Sequence, residues 1–139
     1  MPALQKFNDF AEQVLRGKHD FGSHTFKVAL SNTAPSATNT VLADIAQVAA
    51  TGGYVAGGFQ LDSVALTEAA GNAKVVIADE VITAAGGSIG PFRYVVIYND
   101  TSTGKPLVGY VDRGDSVTLL EGDGITIDFD AAAGVLTLS

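Results

Sequence analysis

The hydrophobic positions of this chain change period once, from a helical stretch at the start to alternating segments farther on. From Ala3 to Arg16 the apolar residues recur at helical spacing and form a single stripe: Leu4, Phe7, Phe10, Ala11, Val14 and Leu15. Gly17 follows as a C-terminal stop, and Arg16 suits the negative end of the helix dipole. The pattern predicts an N-terminal amphipathic helix within residues 1–17, about three to four turns long.

Apolar and polar residues alternate through much of the remaining chain, as they do in strands with one buried face. The predicted strands are His24–Ser31, Phe59–Glu68, Ala73–Asp79, Phe92–Asn99, Pro106–Asp112, Ser116–Leu120, Ile125–Asp130 and Val135–Leu138. Turn sequences, Gly114-Asp115 among them, separate these segments. Phe92–Tyr98 is apolar on both faces, which predicts a central strand. About eight short strands predict a mainly β fold: a sandwich, a jelly roll or a barrel.

A long excursion, residues 32–58, separates the first predicted strand from the second. It begins with a turn-rich loop around Pro35 and continues with a second, shorter helical pattern from Val41 to Ala49. The pairs Gly52-Gly53 and Gly57-Gly58 end that pattern. Long ordered excursions in compact domains are often functional. Since no domain boundary is visible, we predict one domain over residues 1–139, with the β-sandwich in residues 24–138.

Composition narrows the possible classes of protein. A chain of 139 residues with 47% hydrophobic content is long enough for one domain with a real core. The absence of cysteine excludes disulfides and thiolate metal sites. The net charge of −7 argues against a nucleic-acid partner. The sequence shows no signal peptide and no membrane-spanning run, so we expect a soluble protein that is made in a cytoplasm and has no membrane partner.

No candidate catalytic residue in the sequence has the partner residues that catalysis requires. The segment Gly114-Asp115-Ser116-Val117 is similar to the nucleophile block of one esterase family. A serine nucleophile needs a histidine, and the two histidines of the chain, His19 and His24, lie near the N-terminus. Because the segment falls between two predicted strands, we interpret it as a turn and predict that the protein is not an enzyme.

Two clusters of possible metal ligands are also better explained without a metal. His19, Asp20 and His24 lie close in sequence, but a helix end and a strand start separate them, so we interpret them as a solvated linker. Glu121, Asp123, Asp128 and Asp130 form an acidic cluster that lacks the dense spacing of a calcium loop. Asp128 and Asp130 alternate along one strand face, so we interpret the cluster as a solvated outer face. The glycine pairs lack the Lys-Ser/Thr of a phosphate loop. We therefore expect no metal and no cofactor.

Two sets of aromatic and apolar residues have both a structural and a binding interpretation. Phe92, Tyr94 and Tyr98 could form a stacking platform, although core packing fits an acidic chain better. The N-terminal stripe either covers this chain's own core or docks on another subunit, and the sequence leaves both open. The suspected subunit contacts are Leu4, Phe7, Phe10 and Val14 of the stripe and Tyr54 of the excursion. We expect the helix and the excursion to be the main contact elements.

The chain resembles a group of small structural proteins of tailed bacteriophages. The segments that carry the resemblance are 6–10, 27–35, 43–46, 52–58, 86–94, 96–101, 127–130 and 134–138. The best of them reads Gly-Gly-Ser-Ile-Gly-Pro-Phe-Arg-Tyr at residues 86–94. The described type most similar to this chain is the capsid cement, or decoration, protein. The resemblance implies a jelly-roll fold, and together with the helical stripe it leads us to expect a jelly-roll-like β-sandwich of about eight strands with an N-terminal amphipathic helix.

The resemblance also implies a role and partners. We expect a homodimer that binds the major capsid protein on the outer surface of the virion and stabilises the head. The acidic charge agrees with an outer position, since an inner surface would face packaged DNA. Two alternatives from other classes stay open: a tail- or fibre-associated virion protein, and a carbohydrate-binding β-sandwich.

Overall fold

The computed structural model describes residues 4–129 and 134–138, and over these residues the fold is mainly β, as predicted. The strands are β1 Gln5–Lys6, β2 Phe26–Ser31, β3 Phe59–Gln60, β4 Ala65–Ala69, β5 Asn72–Val76, β6 Glu80–Thr83, β7 Ile89–Asn99, β8 Leu107–Leu119, β9 Gly124–Ile127 and β10 Leu136–Leu138. One α-helix, α1 (Phe10–Leu15), and one short 3-10 helix, Leu42–Asp44, accompany them.

The described strands form three antiparallel sheets. The largest has five strands in the order β1-β8-β7-β2-β3, a second has the order β10-β5-β4, and β6 pairs with β9. The long strand β7 lies in the middle of the largest sheet, which confirms the prediction of a central strand there. Several antiparallel sheets are consistent with a sandwich-like class. The strand order does not confirm a jelly roll.

Both faces of the five-stranded sheet are covered by side chains of this chain. On β2, Val28 and Leu30 point into the larger core, while Ala29 between them points to the opposite face. Strand geometry requires this alternation. The larger core also receives side chains from β5–β10 and α1, and the smaller cluster on the opposite face contains Phe7 and Ile45. β2 and β7 are therefore almost fully buried.

The predicted N-terminal helix is wrong over its first half. Gln5 and Lys6 form strand β1 and pair with Tyr110 and Gly109 of β8. Gly109 permits this approach, because a Cβ there would lie only 2.8 Å from the Gln5 carbonyl oxygen. The backbone hydrogen bonds that Gln5 and Lys6 form with β8 take the place of those that a helix would provide, and so they compete with the helical preference of this segment.

The helical part that remains is one short element. α1 spans six residues, Phe10–Leu15, and Phe10 is its buried residue. The Glu12 carboxylate accepts a hydrogen bond from Arg16 Nε at 3.0 Å. Residues 1–3, with which the predicted helix was to begin, lie outside the described part of the chain.

Three strand predictions also need correction. The expected turn at Gly114-Asp115 is absent, because β8 continues through it and absorbs the irregularity as register shifts against β7. The expected strand 59–68 is divided into β3 and β4 by a non-strand segment at 61–64. Strand β6 was not predicted. Asp130, expected at the end of the β9 segment, lies outside the described residues.

The second helical pattern, Val41–Ala49, is likewise wrong apart from the 3-10 helix. The backbone of this segment pairs with the sheet instead: Val41 forms a bridge with Pro106, and Gln47 forms one with Ser31. The Asp44 carboxylate stabilises the start of the 3-10 helix, because its Oδ2 accepts hydrogen bonds from the backbone N–H groups of Thr40 and Val41 at 3.0 and 3.3 Å. Contacts distant in sequence thus override the local periodicity.

Candidate functional site

The excursion is anchored to the five-stranded sheet through the buried hydroxyl of Tyr54. The Leu30 N–H donates to this hydroxyl at 3.2 Å, and the hydroxyl donates to Gln47 Oε1 at 2.6 Å. The Gly57 N–H donates to the same Gln47 oxygen at 2.8 Å. Burial raises the pKa of Tyr54, so the hydroxyl keeps its proton at neutral pH.

A second tyrosine holds the end of the excursion. The hydroxyl of Tyr98 donates to the Gly57 carbonyl oxygen, and burial raises the pKa of this phenol as well. The next residue, Gly58, has φ +78°, and a Cβ at this position would collide with the carbonyl group of Val28. Glycine is therefore required here both for its backbone conformation and for the close approach to β2.

The excursion forms an outer layer over the five-stranded sheet, and this outer layer carries an open depression of about 520 Å³. Its lining is mainly apolar, with one cation at the rim: Leu42, Ala43, Ile45, Gln47, Gly104 and Lys105. Ile45 is buried and Leu42 partly buried, whereas Ala43 is exposed. Because Gln47 and the bridge at Val41 fix the surrounding backbone, the depression is formed without a partner.

The structure places the five suspected subunit contacts in two groups. Phe7, Phe10 and Tyr54 are 2%, 9% and 1% exposed and pack within this chain. Phe7 and Phe10 of the stripe therefore cover this chain's own core, whereas Ala11 and Leu15 of the same stripe are exposed. Leu4 and Val14 are partly exposed while packing against the same core. The subunit-contact role stays a prediction, and in this conformation Leu4 and Val14 are the members that a partner can reach.

The interpretation of segment 19–24 as a solvated linker is wrong for His19 and His24, because Asn99 brings their rings together, whereas Asp20 is exposed as predicted. Asn99 Nδ2 lies 3.3 Å from His19 Nδ1 and 3.0 Å from His24 Nδ1, and it donates to the Lys18 carbonyl oxygen at 3.0 Å. Asn99 Oδ1 accepts the N–H groups of Thr101 and Ser102. This fully buried amide joins the N-terminal segment to the loop after β7.

His24 Nδ1 is a hydrogen-bond acceptor at this junction. The backbone N–H of Asp20 donates to His24 Nδ1 at 3.2 Å, so that nitrogen faces donors and the ring proton lies on Nε2. His19 stacks among Phe10, Phe21 and Phe26, and its Nε2 is buried without a hydrogen-bond partner. Among the described residues no cluster of metal-binding side chains occurs.

Burial in this aromatic surrounding lowers the pKa of His19 to about 4. Desolvation is the main cause, the nearby His24 lowers it further, and Asp9 partly opposes both. His19 is therefore neutral at physiological pH. Sequence reasoning missed Asn99, and a polar residue at the end of a strand that is apolar on both faces is the signal that could have indicated it.

Ser116 lies far from both histidines. Its hydroxyl donates to Asn32 Oδ1 at 2.6 Å, and its neighbour Val117 pairs with Phe92 on β7. His24 contacts Asn99, seven residues farther along β7. At the usual rise per residue, roughly 20 Å separates the two places. The structure does not bring Ser116 and a histidine together.

Two of the four acidic candidates and all three aromatic candidates make structural contacts, while Asp128 is exposed, as the solvated-face interpretation predicted. Glu121 accepts the Gly86 N–H, and Asp123 accepts the Leu120 N–H, so both carboxylates stabilise turns. Phe92, Tyr94 and Tyr98 are buried, as the core-packing interpretation predicted, and none presents an open ring face for stacking.

In comparisons with known proteins, no family model, no curated protein and no solved structure matches the chain. Within the described residues, no helix has the length and apolar character that crossing a membrane requires.

Proposed function

We propose that this chain is a virion structural protein, a capsid cement or decoration protein that binds the outside of the shell of major capsid protein and stabilises the head. The proposal rests on the resemblance to phage structural proteins, and one feature of the structure supports it. That feature is the pre-formed outer layer over the five-stranded sheet, with its open apolar depression beside Lys105.

Pre-organisation is the physical reason why this layer suits docking. Association costs free energy when loops must first be ordered, and the bonds of Tyr54, Gln47 and Tyr98 have already ordered this one. A modest contact at each position, repeated on a lattice, sums to a large stabilisation. A protein that binds the assembled shell and not its free subunits shifts the equilibrium towards the shell.

The experiment is co-sedimentation of the purified protein with heads that lack it, followed by thermal disruption of the heads. We expect saturable binding and a raised disruption temperature. Ala43→Glu places a charge in the exposed rim of the depression and should weaken binding without unfolding the domain. Ala78→Glu, at an exposed alanine between β5 and β6 and outside both the helix and the excursion, is the matched control. Absence of binding by the unaltered protein would show that the proposal is wrong.

A further inference from the structure

Strand β4 presents an open edge that is unusual for this molecule. All five residues, Ala65–Ala69, are exposed, although they alternate between the two faces of the sheet. β4 is the outermost strand of its sheet, and across residues 4–129 and 134–138 no other strand pairs with its outer side. Such an edge is a template for pairing with another strand.

The hairpin turn determines which backbone groups lie on that edge. β4 and β5 are joined by Ala70 and Gly71, with φ values of 53° and 85°, and Ala69 pairs with Asn72 across the turn. In a two-residue hairpin the flanking pair exchanges both backbone hydrogen bonds. Ala65, Thr67 and Ala69 therefore bond to β5, and the N–H and C=O groups of Leu66 and Glu68 point outward.

We propose that β4 pairs antiparallel with β4 of a second copy of this chain, with Thr67 on the two-fold axis. In this register Leu66 lies opposite Glu68 of the second copy, and the reverse pair is identical by symmetry. The four outward groups of each strand then form four hydrogen bonds across the interface. The sheet continues through the interface as six strands, β10-β5-β4 followed by the same strands of the second copy in reverse order.

The side chains of β4 fit this register. Glu68, the one ionisable residue of the strand, faces Leu66 of the second copy and not its own equivalent, so no like charges lie directly opposite. Leu66 is 52% exposed. It pairs with Val75 of β5, which in turn pairs with Leu136 of β10, so these three side chains lie on one face of the sheet. Pairing places the two exposed leucines diagonally on one face of the extended sheet, each directly opposite Glu68 of the other copy.

The contact is small, and its strength should reflect that. Five paired residues bury less than the surface of a standard stable interface, so we expect concentration-dependent association and not a permanent dimer. This inference goes beyond the proposed function and does not depend on it, because the pairing needs no capsid shell.

Cysteine cross-linking tests the register directly, since the chain contains no cysteine of its own. Across the two-fold axis Thr67 forms a non-hydrogen-bonded pair with a Cα separation of ~4.5 Å, which is within the disulfide range. Thr67→Cys should therefore oxidise to a covalent dimer about tenfold faster than Ala69→Cys, whose two copies lie about 14 Å apart along the strands. Reactivity with a thiol dye corrects for differences in exposure.

Two further variants make the outcome decisive. An equal mixture of Ala65→Cys and Ala69→Cys should form the mixed disulfide, because these positions pair across the axis, whereas each variant alone should not. Leu66→Pro added to Thr67→Cys removes an outward N–H and leaves the β4–β5 hydrogen bonds intact, so it should abolish cross-linking with little change in the melting curve. Equal oxidation rates for Thr67→Cys and Ala69→Cys, or a mixture without the mixed disulfide, would overturn the proposal. Neither result bears on binding to heads.

Discussion

The two larger sheets of this protein differ in how their edges end. The five-stranded sheet finishes on β1 and β3, which are two residues long each, and its central strands are almost fully buried. The three-stranded sheet finishes on β4, which has five residues, all of them exposed. Very short edge strands offer little backbone for a foreign strand to pair with, whereas a longer open edge invites pairing. The first sheet is therefore the stable framework, and the second is available for contacts.

The largest expected difference concerns side-chain truncation in the two sheets. Phe92→Ala removes a fully buried ring from β7 and should lower the free energy of unfolding by about 3–5 kcal/mol. Leu66→Ala on β4 should change it by less than about 0.5 kcal/mol in the monomer, because the side chain is half exposed. Denaturant titration at low protein concentration measures both. A comparable loss in Leu66→Ala would mean that the hairpin belongs to the framework.

The next effect concerns the polar junction at the end of β7. Asn99→Ala removes one of the two donors to the Lys18 carbonyl oxygen, which keeps Ser102 Oγ, and it leaves the N–H groups of Thr101 and Ser102 without their acceptor. We expect a loss of about 2–3 kcal/mol, since buried polar groups pay their desolvation cost when unpaired. Asn72→Ala, at an exposed position of β5, should be nearly neutral in the same titration. Equal effects at the two positions would contradict the role of Asn99.

Low pH should destabilise the folded protein through the protonation of His19. Its pKa is about 4 when folded and 6.5 without burial, so the unfolded chain binds more protons between these values. Stability should fall as pH decreases from about 6.5 to about 4, by about 2 kcal/mol. His19→Phe should flatten this part of the curve, because phenylalanine has no proton to bind. Unfolding measured at several pH values, with an unchanged slope in the variant, would refute the assignment to His19.

The smallest effect concerns the anchor of the excursion. Tyr54→Phe leaves the buried Leu30 N–H without its acceptor, and we expect a loss of about 1–2 kcal/mol. Tyr110→Phe removes an exposed hydroxyl that donates to Gln5 Oε1, and it should change stability by no more than about 0.5 kcal/mol. Thermal melts of the pair measure the difference. If the two variants melt alike, the excursion is not held by Tyr54.

Predictions from sequence succeeded where one segment carried a strong and unbroken pattern. β2 and β7 follow from alternation and from an apolar run, because their side chains are buried on the faces that the pattern indicates. β6 was missed because it is four residues long and its one buried side chain, Ile82, gives too little periodicity. Among the candidate site residues, the burial of Phe92 and Tyr98 was predicted, but the junction at Asn99 was not.

Composition and local periodicity were enough to predict the fold class, the central position of β7 and the lack of disulfide or thiolate chemistry. The strand at Gln5 and Lys6 could not be predicted in this way, because it depends on Gly109 of β8, which has no side chain to block their approach. The same holds for the contact of Asn99 with His19 and His24, and for the outer edge of β4, which no other strand within residues 4–129 and 134–138 covers. Each of these depends on partners far away in the chain, and a local pattern carries no information about which partner arrives.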